Sequence, residues 1–538
     1  MSAAATPVAA DSRGRTGESG SMALRSLETL APFLAAALAC AVIASLVEPY
    51  PVGIFHDDGV YLILARSLAS ADGYRYLHLP GAPIATHYPP AYPILLALLL
   101  TVGGALPKSI TILLLANAVL LGVATWALTQ FMRRRLGWTP LAAAGIAVAS
   151  TVSLPMVMLS TLVMSEVLFL AVCIPLLTMS ERAVTAERRR ARLFALGAMV
   201  GALALVRMQG VVLAAVVGCL LAVRQDWRKA AYLLAGAVLV TIPWQLWVAF
   251  HDRSIPPELR GSYGSYVGWF FDGLRTGGFR LLTGTISRNL SEATGLLADR
   301  FAPWRPGFGR IAGVVVAALF FLTGSVRFFR RAPVTLWFVV AYLALTLVWP
   351  YAPWRFIWGI WPLIIVIIAC GVHACITWSP VAPIPRLVRV IPAAALAALV
   401  MGAIRAERAA YVSHAWSTPV REATARIAPE MRWLTDNARP HETVVADAEP
   451  LVYLFTRHRA VPPVPFTANE YVAARTLTAD TAALSALVRY SAARYVLSVV
   501  PSTIAAARAL MSASPNRGFV LREADSLSDG AVFEVVRP

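Results

Sequence analysis

Residues 56–93 read HDDGVYLILARSLASADGYRYLHLPGAPIATHYPPAYP, and they follow directly on an apolar run at Leu30–Val47. Two adjacent carboxylates, Asp57 and Asp58, therefore stand where a hydrophobic helix has just left a bilayer. The apolar residues behind them predict a short amphipathic helix, and the chain then returns through His87, Tyr88, Pro89 and Pro90. A charge at a membrane surface can stay hydrated. A doubled charge followed by an ordered return predicts a chemical site there.

The rest of the chain supplies the membrane. Of 538 residues 58% are hydrophobic and 14% charged, against roughly 25% charged in soluble domains. The net charge of +18 comes from basic residues clustered between apolar runs. That placement follows the positive-inside rule and excludes an extended phosphate-binding face, so no nucleic-acid partner is expected. Five cysteines (Cys40, Cys173, Cys219, Cys370, Cys375) all lie in apolar segments, with neither zinc-ligand spacing nor a disulfide framework.

Apolar windows of ~20 residues predict a polytopic α-helical protein with about eleven spans. They are Leu30–Val47, Ser109–Phe131, Leu141–Pro155, Ser160–Met179, Leu193–Val206, Gly210–Val223, Ala230–Phe250, Ile311–Gly324, Val334–Trp349, Phe356–Cys375 and Leu387–Ile404. Ile94–Gly104 is short and broken by glycines, and reads as interfacial. This threading puts Arg133–Arg135, the cluster 182–192, Arg224–Arg228, Arg327–Arg331 and Arg386–Arg389 on one side, with a flexible cytoplasmic tail at 1–29. The expected membrane module is 30–405, with outer loops at 48–108 and 251–310. Residues 406–538 have ordinary soluble composition and predict an extracytoplasmic α/β domain. Its helices are expected near Val420–Asn437, Thr481–Ala492 and Ile504–Met511, and its strands at Thr443–Ala446, Arg494–Val500, Phe519–Arg522 and Ala531–Val536. No glycine-rich phosphate loop occurs in it. The location expected is a bacterial inner or plasma membrane, N-terminus in and C-terminus out.

Each candidate residue has a chemical and a plain reading. Asp57 and Asp58 suit a general base on a hydroxyl acceptor, or a helix N-cap. Glu166 marks a site within an apolar run, or a carboxylate bonded to neighbouring helices. Arg207 and Arg355 stand at outer turns, against the positive-inside bias. A guanidinium there can fork onto a phosphate and stabilise a leaving group, or stack on interfacial tryptophans. His87 and Tyr88 can meet a phosphate or belong to an ordinary loop. His56 can tune the aspartates, and an Asp-Asp-His set can hold a divalent cation, though no second ligand set appears. Tyr263, Tyr266, Trp269 and Phe270 suit a carbohydrate platform or an interface anchor.

Taken together these features resemble the GT-C membrane glycosyltransferases, in particular the protein O-mannosyltransferase and lipid A aminoarabinose transferase group. Asp57, Asp58 and Tyr61 match that family's outer acidic motif. Ala65, Leu68 and Gly73 match its helix end, and Pro89, Pro90 and Tyr92 its Pro-Pro-aromatic return. A lysine often precedes those prolines; Tyr88 stands in its place. The stretch around Glu166, the Arg207 turn and the run from Arg355 to Pro362 are also similar. The resemblance implies a polyprenyl-phosphate sugar donor and a lipid, glycan or protein hydroxyl acceptor. It implies inversion, with Asp57 as base and arginine on the leaving phosphate, and no cofactor. A secondary transporter, or a membrane scaffold with an external binding domain, is the alternative from another class. The absence of an internal repeat and the gathering of charge at one face speak against the transporter.

Overall fold

The computed structural model describes residues 13–104, 106–185, 189–302, 307–377, 386–512, 518–527 and 530–537. The chain opens with α1 (Arg13–Leu46), helical from residue 13 where a flexible tail through 29 was expected. The loop between spans contributes α2 (Asp57–Ala69) and α3 (Ala91–Gly103), followed by α4 (Lys108–Phe131). α3 is 13 residues long, about 20 Å at ~1.5 Å per residue.

Next come α5 (Pro140–Thr151) and α6 (Leu154–Ser160), two pieces bent by 63° at a two-residue break. Pro155 sits in the first turn of α6, where a missing N–H costs nothing. The span expected from Ser160 instead starts at Glu166, as α7 (Glu166–Thr185), so Thr161–Ser165 is an irregular turn. Then follow α8 (Arg190–Val206), α9 (Val211–Val223) and α10 (Trp227–His251). The segment 251–310, read as an outer loop, is largely helical: a short α11 (Arg260–Tyr263) precedes α12 (Tyr266–Phe301), kinked at Gly278. The membrane helices close with α13 (Phe308–Arg331), α14 (Pro333–Val348), the short α15 (Trp354–Gly359), α16 (Trp361–Ile376) and α17 (Arg386–Val412).

The chain is an integral membrane protein. Among the described residues five helices are long and apolar enough to cross a bilayer, or six if the bent α5–α6 pair is one span. Three shorter apolar helices, Met208–Val223, Pro333–Val348 and Trp361–Ile376, coincide with further expected spans. The expected spans at 193–206 and 387–404 fall on α8 and α17. Small residues let the helices approach closely. A Cβ on Gly197 of α8 would lie 1.9 Å from the Leu233 carbonyl of α10, and one on Gly236 2.1 Å from that of Phe194. At the basic helix ends, Arg327 and Arg331 donate to the Leu136 carbonyl, and Arg224 to that of Val184.

The C-terminal segment carries α18 (Thr418–Asn437), β1 (Thr443–Ala446), α19 (Glu449–Thr456), β2 (Arg459–Val461), α20 (Leu477–Ser491), β3 (Tyr495–Ser498), α21 (Pro501–Met511), β4 (Val520–Leu527) and β5 (Gly530–Val536). The sheet order is β2-β1-β3-β5-β4; β2, β1 and β3 are parallel, and β5 joins β3 and β4 antiparallel. The strand alternation sorts side chains between two cores. Val444 and Ala446 pack with Leu434 of α18, while Val445 joins a cluster containing Val60, Leu62, Tyr76 and Leu79 of the 48–108 loop. That loop is thus one hydrophobic body with the C-terminal sheet. The sheet edge bonds it too, since the Ala460 N–H donates to the His78 carbonyl at 2.9 Å.

Candidate active site

Asp57 and Asp58 begin α2 and point different ways. Asp58 is fully buried and accepts from the Gly53 N–H at 2.9 Å, the Phe55 N–H at 3.1 Å and the Tyr50 hydroxyl at 3.1 Å. It ties down the strand of loop before the helix. Burial pushes its carboxyl up to about 6. Asp57, one residue earlier, turns to the other side. Its Oδ2 accepts from Arg355 Nη1 at 2.6 Å and its Oδ1 from the Tyr88 hydroxyl at 2.5 Å. Burial opposes ionisation of Asp57, but the Arg355 guanidinium outweighs it, helped by His56 and Tyr88, and holds the carboxyl down at about 2.

Arg355, in the first turn of α15, spans two carboxylates. Its Nε and Nη2 lie 3.1 and 3.0 Å from Glu166 Oε1, and Nη2 also approaches Met164 Sδ at 3.2 Å. Arg207, at the turn between α8 and α9, meets the same Glu166 oxygen at 2.8 Å and donates to Ser165 Oγ at 3.0 Å. Ser165 in turn lies 3.2 Å from the Tyr61 hydroxyl. The result is a chain of alternating charge, Asp57–Arg355–Glu166–Arg207. Desolvating such ions is costly unless each is paired, and here each is. Two polar atoms of the cluster, Glu166 Oε2 and Arg207 Nε, are buried without a partner among the described residues.

The cluster forms the polar end of a cavity of ≈ 380 Å³ whose remaining wall is largely apolar. Asp57, Tyr61, Pro89, Arg207 and Arg355 line it, with an aromatic side made of Tyr266, Trp349, Tyr351, Trp354 and Phe356. A charged end and a long apolar wall suit an amphiphile whose anionic head reaches the arginines while its tail stays in hydrocarbon.

Other expected residues stand behind this front. His87 is buried, 2.5 Å from the Gly264 carbonyl through Nδ1 and 3.7 Å between ring centres from Tyr266. Burial holds its imidazole down at about 4, despite the Gly264 bond, so it is neutral at pH 7. It does not line the cavity. Tyr88 is also buried and spends its hydroxyl on Asp57. Tyr61 touches the Tyr88 and Tyr92 rings edge-on, each at 5.0 Å. Pro90 caps the start of α3. His56 turns towards Glu449. The Asp-Asp-His set thus diverges in three directions, and among the described residues no cluster of three metal-ligating side chains occurs.

Sequence reasoning missed Tyr50, Ser165, Met164, Trp349, Tyr351 and Glu449. Ser165 adjoins Glu166 and Tyr50 opens the loop, so both lay within reach of it; nothing local marks Glu449. Of the four aromatics left undecided, Tyr266 lines the cavity, whereas Tyr263 is buried against Glu449 and Trp269 stacks on Phe466.

No protein-family model and no curated protein sequence matches the chain. Solved structures do. ArnT from Cupriavidus metallidurans bound to undecaprenyl phosphate superposes with a TM-score of 0.54 at 14% identity, over 94% of this chain and 97% of that one. The oligosaccharyltransferase AglB from Archaeoglobus fulgidus, in complex with an inhibitory peptide and a dolichol-phosphate, gives 0.50 at 11% identity, over 95% of this chain and 75% of its own. The fold is therefore of the GT-C type.

Proposed function

We propose that this chain is a membrane glycosyltransferase that moves a sugar from a polyprenyl-phosphate carrier to an acceptor hydroxyl at the outer membrane surface. The observation that carries the reading is Arg355 bridging Asp57 and Glu166 at the polar end of a mostly apolar cavity. The likeness to structures holding undecaprenyl phosphate and dolichol-phosphate supports it.

In this reading the donor phosphate takes Arg355 and Arg207 as its partners, using guanidinium donors that now face carboxylates. Asp57 then loses the cation that depresses its pKa and regains basicity as the donor arrives. The acceptor oxygen attacks the anomeric carbon from the face opposite the phosphate, and its proton goes to Asp57. The bond from the anomeric carbon to the phosphate oxygen breaks, with its electron pair leaving on polyprenyl phosphate, and configuration inverts. Glu166 holds both arginines in place between turnovers. Asp58 and His87 fold the loop, and Tyr88 aims Asp57. The arginines supply the leaving-group stabilisation that a divalent cation gives elsewhere. The site faces the extracytoplasmic side of a bacterial inner membrane, with the basic loops and N-terminus inside and the C-terminal sheet outside.

Purified protein in lipid, given radiolabelled polyprenyl-phosphate sugars and a membrane extract as acceptor, tests this. Transfer by wild type and none by Asp57→Asn is expected. Equal transfer by both removes Asp57 as the base, and directional uptake into liposomes without transfer replaces the reading with transport.

A further inference from the structure

The backbone just before Asp57 lies where non-glycine residues rarely go. His56 has φ 62° and ψ −67°, and the Asp57 N–H donates across it to the Phe55 carbonyl at 2.7 Å. This is a γ-turn of the strained, positive-φ hand. Such a conformation persists only where its surroundings over-determine it.

The surroundings come from the far end of the chain. Glu449 opens α19 and is 2% exposed. Its Oε1 lies 3.3 Å from His56 Nδ1 and accepts from the Tyr263 hydroxyl at 2.6 Å. Tyr263 oxygen lies 2.8 Å from His78 Nε2; because its own proton goes to Glu449, that histidine nitrogen is the donor. The next residues of α19 press on the loop backbone. A Cβ at Gly53 would lie 2.5 Å from the Leu451 nitrogen, and one at Gly59 2.6 Å from Pro450 Cβ. These contacts grip the loop on both sides of the turn that presents the carboxylate to Arg355.

We infer that Glu449 is a positioning residue for Asp57, holding the His56 imidazole so that the γ-turn aims the carboxylate at Arg355. The C-terminal segment is then part of the catalytic apparatus. The inference rests on the functional reading above, but its structural half does not.

The test uses the full chain in lipid and the polyprenyl-phosphate sugar that the wild type consumes. Glu449→Ala is expected to lower kcat about ten- to a hundredfold, as for an ångström-scale misplacement, with the donor KM unchanged. Glu449→Gln, which still accepts from Tyr263 and His56, recovers most of the loss. Glycine adopts positive φ freely, so in a His56→Gly background Glu449→Ala is expected to add little. Hydrogen–deuterium exchange across residues 53–60 is expected to quicken in Glu449→Ala. A wild-type rate, a fully additive double variant, or unchanged exchange would each overturn the inference while leaving the transferase reading intact. Tyr263→Phe, which removes only the hydroxyl anchoring Glu449, gives the same pattern at smaller size; if Glu449→Ala does not fold, a wild-type rate and exchange in Tyr263→Phe overturn it. If the wild type transfers nothing, the functional reading falls, and the exchange measurement alone decides the clamp.

Discussion

Arg355 Nη1 lies 2.6 Å from Asp57 Oδ2, although 298 residues separate them in the chain. The same guanidinium reaches Glu166 with its other edge. A lysine has one point charge and no fork, so it cannot serve both carboxylates. Arg355→Lys is expected to lower kcat/KM about a hundredfold or more, comparable to losing one preorganised transition-state donor. A donor-concentration series on the variant and the wild type checks this; a loss below about threefold would count against phosphate contact.

Asp57→Asn keeps the volume and removes the base. The expected loss in kcat is about 10²–10⁴-fold, the usual worth of general base catalysis. The thermal unfolding temperature in detergent is expected to fall modestly, because one amide oxygen serves only one of the two donors, Arg355 and Tyr88, while Arg355 keeps its pairing with Glu166. A large fall in Tm with activity lost in proportion would make Asp57 a structural residue.

Asp58→Asn, its neighbour, is expected to act the other way. The three donors on Asp58 are two backbone N–H groups and a hydroxyl, and an amide turns its own donors towards some of them. Leaving such buried groups unsatisfied costs about 1–3 kcal/mol. A lowered Tm is expected, with the remaining folded protein nearly as active per molecule. Loss of turnover in fully folded Asp58→Asn would overturn this division of labour.

Tyr88→Phe removes a donor that favours the ionised form of Asp57, so the Asp57 pKa rises. Asp57 must be ionised to act, and its folded value of about 2 lies below the usual carboxylate range. Wild-type kcat/KM therefore keeps its Asp57-dependent acid limb at very low pH, and the variant moves that limb upward. The stability linked to this carboxyl has the same sign: it is fully present above the ordinary value of 3.8 and is lost as pH falls through about 2. A pH–rate profile that is unchanged in Tyr88→Phe would show that the phenol does not act on Asp57.

Gly53 has φ +112° and meets the Leu451 backbone. Gly53→Ala is expected to destabilise the fold by more than ~1 kcal/mol, since both the torsion and the contact forbid a Cβ. Limited proteolysis of the first loop reports it; wild-type resistance would mean that the loop and α19 part easily.

The membrane character of the chain and the five long apolar helices among the described residues were legible in the residues themselves, because a bilayer demands long apolar runs. So were the strands at 443–446 and 531–536, which are rich in β-branched residues. The late start of α7 was not, since apolarity continues through Thr161–Ser165 although the helix does not. Nor was the difference between Asp57 and Asp58. Adjacent side chains at a helix start diverge by about 100°, and which of them meets an arginine depends on where α15 lands. Glu449 was invisible for the same reason: Glu-Pro at a helix start is an ordinary pattern, and only tertiary packing brings it against His56. Local composition therefore determined the solvent each segment occupies. The charge pairings that make a site depend on long-range packing, and no local pattern encodes them.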